Sequence, residues 1–134
     1  MNTIAVSLAL IFLAETERGA VPYDQKGLLQ ITSGCLRDVN RINSKRGGKQ
    51  YDLMDRLDFN KSCEIATVWL SYYKPIVEKS IGRPMNHYDL AAMWNVGAVG
   101  FLRGDGQSYL AMINRKLAKL SRRDALIVAL KEQA

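Results

Sequence analysis

The stretch "TIAVSLALIFLAE", Thr3 to Glu15, constrains the chain more than any other, because the twelve residues from Thr3 to Ala14 carry no charge before two carboxylates, Glu15 and Glu17, arrive with Arg18. The run is too short to span a bilayer, which takes about 20 apolar residues. It resembles the apolar region of a secretory leader, and "FLA" before Glu15 could pass for a cleavage site, but no Lys or Arg precedes it. The expectation is therefore a buried first helix of the folded domain, ending in a carboxyl group beside apolar surface. Ionising a carboxyl group there costs solvation, so the protonated form is favoured and the group is suited to donate a proton. At about 100° per residue, Glu15 falls between Leu8 and Ile11 and Glu17 between Val6 and Leu10. Because the helix is apolar all round, periodicity does not choose between them.

Length matters here because such a helix needs a core to enter. A chain of 134 residues with 48% hydrophobic residues fits one domain. Charged residues are 24% of the chain with both signs dispersed, and no repeat or low-complexity run appears, which excludes the disordered and fibrous classes. The formal net charge of +6 suits an anionic partner: nucleic acid, an acidic membrane surface or a bacterial cell wall. Cys35 and Cys63 are too few for a disulfide scaffold and have no metal-like spacing, so free thiols or one bridge between helices are the two readings.

Helical patterns cover most of the rest. Gly19 to Gln30 reads as loop or irregular strand. Thr32 or Ser33 caps a second helix through about Asn43, and Ser44 to Gln50 reads as solvated loop. A short turn is expected over Asp52 to Leu57, then a long helix capped by Asp58 or Asn60, with a break at Gly82 and Pro84. Helix resumes through "DLAAMWNVG", stops at Gly97 and Gly100, restarts near Ser108, and gives way to a separate basic amphipathic segment from about Arg122 to Gln133. No strand pattern competes. The fold class expected is mostly α, with loops gathered at Gly19–Gln30 and Asn95–Gln107.

Four stretches carry a family resemblance. "AET" at Ala14–Thr16, followed by "GLLQIT" from Gly27, resembles the signature of soluble lytic transglycosylases and goose-type lysozymes, in which a catalytic Glu ends a core helix and a Gly-Leu-Met-Gln element follows. Thr16 stands where Ser is usual and Leu29 where Met is usual. "DFNKSCEIATVWL", Asp58–Leu70, is similar in spacing to a further helix of the family, with Phe59, Ser62, Ala66 and Trp69 replacing its Pro, Asn, Gly and Tyr. "AAMWNVGAVG", Ala91–Gly100, resembles its Ala-Ala-Tyr-Asn-Ala-Gly motif with Trp94 for Tyr, and Tyr109 sits where a downstream tyrosine is expected.

The resemblance implies a single lysozyme-like domain over residues 1–134, with helices around a polysaccharide cleft. It implies cleavage of the N-acetylmuramic acid to N-acetylglucosamine bond of peptidoglycan, with Glu15 as acid and then base. The substrate-binding set would be Thr16, Gly27, Gln30, Trp94, Asn95, Gly97 and Tyr109. Glycines at 27 and 97 would admit a sugar to the backbone, Gln30 and Asn95 would face acetamido groups, and Trp94 would offer a flat face. Hydrolases need a second carboxylate. Asp24 is the only acid in the loop facing the expected cleft and reads as a turn residue, which favours transglycosylation over a muramidase route. No cofactor or metal enters the scheme, and His87 reads as a surface or capping residue. The partners implied are peptidoglycan strands, and also a wall-spanning secretion or phage assembly. The place implied is the periplasm and cell envelope, or a phage virion or lysis system.

Two readings compete from other classes. "CLRDVNRINSKRGGK" and "NRKLAKLSRRDALIVALK" place cations on helix faces as a nucleic-acid-binding module would, yet neither has helix-turn-helix spacing. A lysozyme-like wall-binding protein without catalysis would fit the altered motifs, although Glu15 is present.

Overall fold

A computed structural model describes residues 2–15 and 27–132. Among them are five α-helices and one 3-10 turn: α1 (Thr3–Glu15), α2 (Ser33–Arg46), the 3-10 turn (Leu53–Leu57), α3 (Phe59–Ile81), α4 (His87–Leu102) and α5 (Gln107–Glu132). The all-α class holds for the described residues.

The first helix buries one face: Ser7, Leu10, Ile11, Ala14 and Glu15 are buried against α3, α4 and α5, while Ala5, Ala9 and Phe12 are exposed, so the expected burial holds for one side of the helix. Ser7 hides its hydroxyl by donating to the Ile4 carbonyl at 2.7 Å. Around α1 the core gathers Leu29, Ile31, Val39, Ile65, Leu70, Leu90, Met93 and Ile113.

Local chemistry sets the ends of the other helices. Thr32 caps α2 by accepting from the Cys35 N–H, and the helix runs to Arg46, past the expected end at Asn43. Asn43 is itself buried, and its amide nitrogen donates to the Lys49 carbonyl at 2.7 Å, folding the Gly-Gly turn back on the helix. Asp52 caps the 3-10 turn and Asp58 caps α3, which continues through Pro75 to Ile81.

One expectation holds and one is corrected. Gly97, with φ 79° and ψ 167°, interrupts α4 at a kink in a region that only glycine enters without strain, and helix then resumes through Gly100 to Leu102. The basic segment from Arg122 is not separate, because α5 is one helix of 26 residues. No glycine or proline stands between Gln107 and Glu132 to interrupt it.

Candidate functional site

At its last turn α1 delivers Glu15 to the wall of an open cavity of about 330 Å³, lined also by Gln30, Asp38, Trp69, Trp94, Asn95 and Gly97. Glu15 is only 7% exposed. The Tyr109 hydroxyl, from the first turn of α5, donates to its Oε1 at 3.1 Å. Lys116, two turns further along α5, donates from Nζ to the Leu13 and Ala14 carbonyls at 3.0 and 2.9 Å. An ammonium on the terminal carbonyls of a helix satisfies acceptors that have no partner within the helix and matches the negative end of its dipole. Together Tyr109 and Lys116 fasten the end of α1 to α5.

Gln30 reaches the cavity through a tight turn. Its backbone takes φ 55°, the left-handed region that a residue with a side chain enters at a cost of about 1–2 kcal/mol. The turn is held by hydrogen bonds to the Gly27 carbonyl from the Gln30 backbone N–H at 3.2 Å and from Nε2 at 2.6 Å. Its Oε1 is buried without a hydrogen-bond partner among the described residues. A strained residue with an unmet acceptor beside a cavity belongs to the pattern seen where a ligand is held.

Gly27 is not among the residues that line this cavity. A Cβ on Gly27 would stand 1.9 Å from the Arg56 carbonyl oxygen, so the backbone that glycine lets approach is that of the 3-10 turn. Arg56 is buried, donating from Nε to the Leu53 carbonyl at 3.0 Å and from Nη1 to the Ile31 carbonyl at 3.2 Å. The Ser62 hydroxyl of α3 donates to the Arg56 carbonyl at 2.9 Å. The turn carrying Gln30 is thus seated on the 3-10 turn and α3.

On the opposite wall the aromatic residues divide between packing and lining. Trp69 and Trp94 meet edge to face at 5.6 Å, and the Trp94 indole N–H donates to the Leu29 carbonyl at 3.2 Å. Trp94 therefore braces the Gln30 turn while lining the cavity. Asn95 is exposed at the rim, and the bend at Gly97 follows directly. Thr16, Glu17 and Asp24 lie outside the described residues. His87 opens α4 just after its cap Asn86 and stacks on Tyr88 at 4.5 Å, away from the cavity lining.

Asp38 is the site residue that sequence reasoning missed. It lies on α2 with its carboxylate accepting from the Tyr73 hydroxyl and from Arg41. Its i, i+3 spacing from Cys35, also a lining residue, was the signal available: both lie beside the buried Leu36, Val39 and Ile42 stripe. The carboxylate marks its neighbours. Burial, then the hydrogen bond to Asp38, pushes the Tyr73 phenol up to about 12. Burial, then the charge of Asp38, does the same to the Cys35 thiol, up to about 12. Both cysteines are free. Among the described residues no group of His, Cys, Asp and Glu could hold a metal ion, and no helix is long and apolar enough to cross a membrane.

No protein family matches the chain, and comparison with curated proteins and with solved structures finds no match.

Proposed function

We propose that the protein is a peptidoglycan lytic transglycosylase, with a lysozyme-like cleft and Glu15 as its acid and base. The observation that carries the reading is a carboxyl group 7% exposed, fixed by Tyr109, at the wall of a cavity that also presents two amide side chains and an indole. This combination suits an N-acetylated glycan: amides pair with acetamido groups, and an aromatic ring packs against a sugar ring.

In the first step Glu15 gives its proton to the glycosidic oxygen as the C1–O bond breaks and positive charge develops on the sugar ring. The muramoyl 6-hydroxyl then bonds to C1, and its proton passes to the Glu15 carboxylate, restoring the acid. No water is consumed, and the product ends in a 1,6-anhydro ring. Tyr109 holds the carboxyl group in one orientation through both steps.

A second reading is favoured by Asp38, a further carboxylate lining the same cavity. Were it to activate water, the outcome would be hydrolysis with reducing muramoyl ends. Its engagement by Tyr73 and Arg41 ties up the lone pairs a base would use, so the first reading stands ahead.

The test is mass analysis of the soluble products from purified peptidoglycan. Anhydromuramoyl ends are expected, reducing ends would establish hydrolysis, and no products would end the enzyme reading. Glu15→Gln removes the transferable proton while keeping shape, and is expected to lower activity by roughly 10²- to 10⁴-fold. Folding should survive, since a neutral amide is no harder to bury than a protonated acid. Glu17→Gln is expected to change little; an inactive Glu17 variant beside an active Glu15 variant would move the acid by two residues.

A further inference from the structure

The second half of α5 leaves the core. Ile113 is its last buried residue, and every residue from 118 to 132 is exposed. That exposed half has an order along its axis. Arg115, Lys119, Arg122 and Arg123 come first with Asp124, then six residues without charge, Ala125 to Leu130, and then Lys131 and Glu132. Within those six, Leu126, Ile127, Val128 and Leu130 are each 41–59% exposed.

From this order we propose that the second half of α5 is an arm that docks on an anionic lipid bilayer, its cations at the headgroups and its apolar end at the boundary with the acyl chains. Three features choose this partner. The cations ask for an anionic surface, which a second copy of the same arm would not give, since like belts would meet. The apolar residues ask for cover that a nucleic acid or a glycan strand lacks. At about 100° per residue, Leu126, Ile127, Val128 and Leu130 point around more than half of the helix, whereas a protein groove covers one face. A lipid interface surrounds what enters it.

The apolar turns are about 9 Å long, a length that suits a seat in the interface and not a span. Long Arg and Lys side chains keep their charged heads among phosphates while their stems lie along apolar surface. Asp124 on one side and Lys131 and Glu132 on the other bound the apolar turns and keep them at the interface. The arm lies on the membrane and does not cross it, since no described helix is long and apolar enough to span.

This inference is independent of the role given to Glu15. The test is flotation or co-sedimentation of the full chain with vesicles of phosphatidylglycerol and phosphatidylethanolamine, against phosphatidylcholine alone. Three proteins are compared with the parent: Arg122→Glu/Arg123→Glu, Leu126→Ser/Ile127→Ser/Leu130→Ser, and Glu15→Gln. Binding is expected to the anionic vesicles only, lowered at least about tenfold by either arm variant and unchanged by Glu15→Gln. The arm residues are exposed, so both arm variants should keep the circular dichroism of the core. Parent-like binding by the triple serine variant would overturn the proposal, because charge alone would then explain attachment. Absence of binding to anionic vesicles would overturn it as well. So would a lipid-free dimer, seen by sedimentation, that the serine variant dissolves.

Discussion

A side chain at position 27 has nowhere to go. The positive φ of 77° and the Arg56 carbonyl 1.9 Å from a would-be Cβ act together, one straining the backbone and the other blocking the atom. Gly27→Ala is expected to cost about 2 kcal/mol or more, a fall in Tm of at least about 6 °C, read by thermal unfolding. Cys35 offers a test of a different kind. With its thiol pushed up to about 12, little thiolate exists at neutral pH. Alkylation at pH 8 should be about 10²-fold slower than for the unfolded chain even after allowing for the greater nucleophilicity of a basic thiolate, as peptide mass analysis of iodoacetamide-treated protein would show. These residues also mark what the sequence could disclose. Gly27 was legible as a required glycine but not as a neighbour of Arg56, since the two meet through a fold and not through spacing. A helix apolar on every side gave no phase by which to place Glu15; burial of Ser7, Ile11 and Ala14 on one face supplies it. Asp38 was invisible as a site residue because a carboxylate on a half-polar helix reads as solvated until the opposite wall is known.

Among the elements, caps were the most readable and interruptions the least. Asp52, Asp58 and Thr32 each cap where short polar side chains precede helical spacing, because that chemistry is local. Gly97 breaks the helical backbone as its sequence position suggests, but that helix resumes beyond it to Leu102 depends on packing that spacing does not disclose. Two carboxylates close the junction of α3 and α4, Asp89 by accepting from Arg83 and the Asn86 N–H, and Glu78. Glu78 accepts from the Met85 N–H at 2.7 Å and from Lys74 at 2.9 Å, closing the turn at Gly82. These two contacts, the backbone one foremost, hold its carboxyl below the ordinary value of 4.5. A depressed carboxylate contributes its stability in full above that ordinary value and loses it as pH falls through the lower folded-state value. Glu78→Gln is therefore expected to lower Tm by about 2–4 °C at pH 7, with the difference fading as pH falls below 4.5 and through the lower folded-state value. A difference that persisted in acid would assign the effect to shape and not to charge.

For the molecule as a whole, charge and chain path decide behaviour. With a formal net charge of +6, association with an isolated anionic cell wall should weaken steadily as salt shortens the Debye length from about 10 Å at 0.1 M toward 3 Å at 1 M. Pull-down across that salt range measures it, and a flat profile would remove long-range attraction from the account. Chain path has a subtler effect. The groups that fasten Glu15 and the end of α1 come from Tyr109 and Lys116, 94 and 102 positions away from their partners Glu15 and Ala14. During synthesis, then, the carboxyl group leaves the ribosome 94 residues ahead of the hydroxyl that donates to it. A nascent chain halted between the two carries Glu15 without this contact, so the order of translation completes this corner of the cavity late.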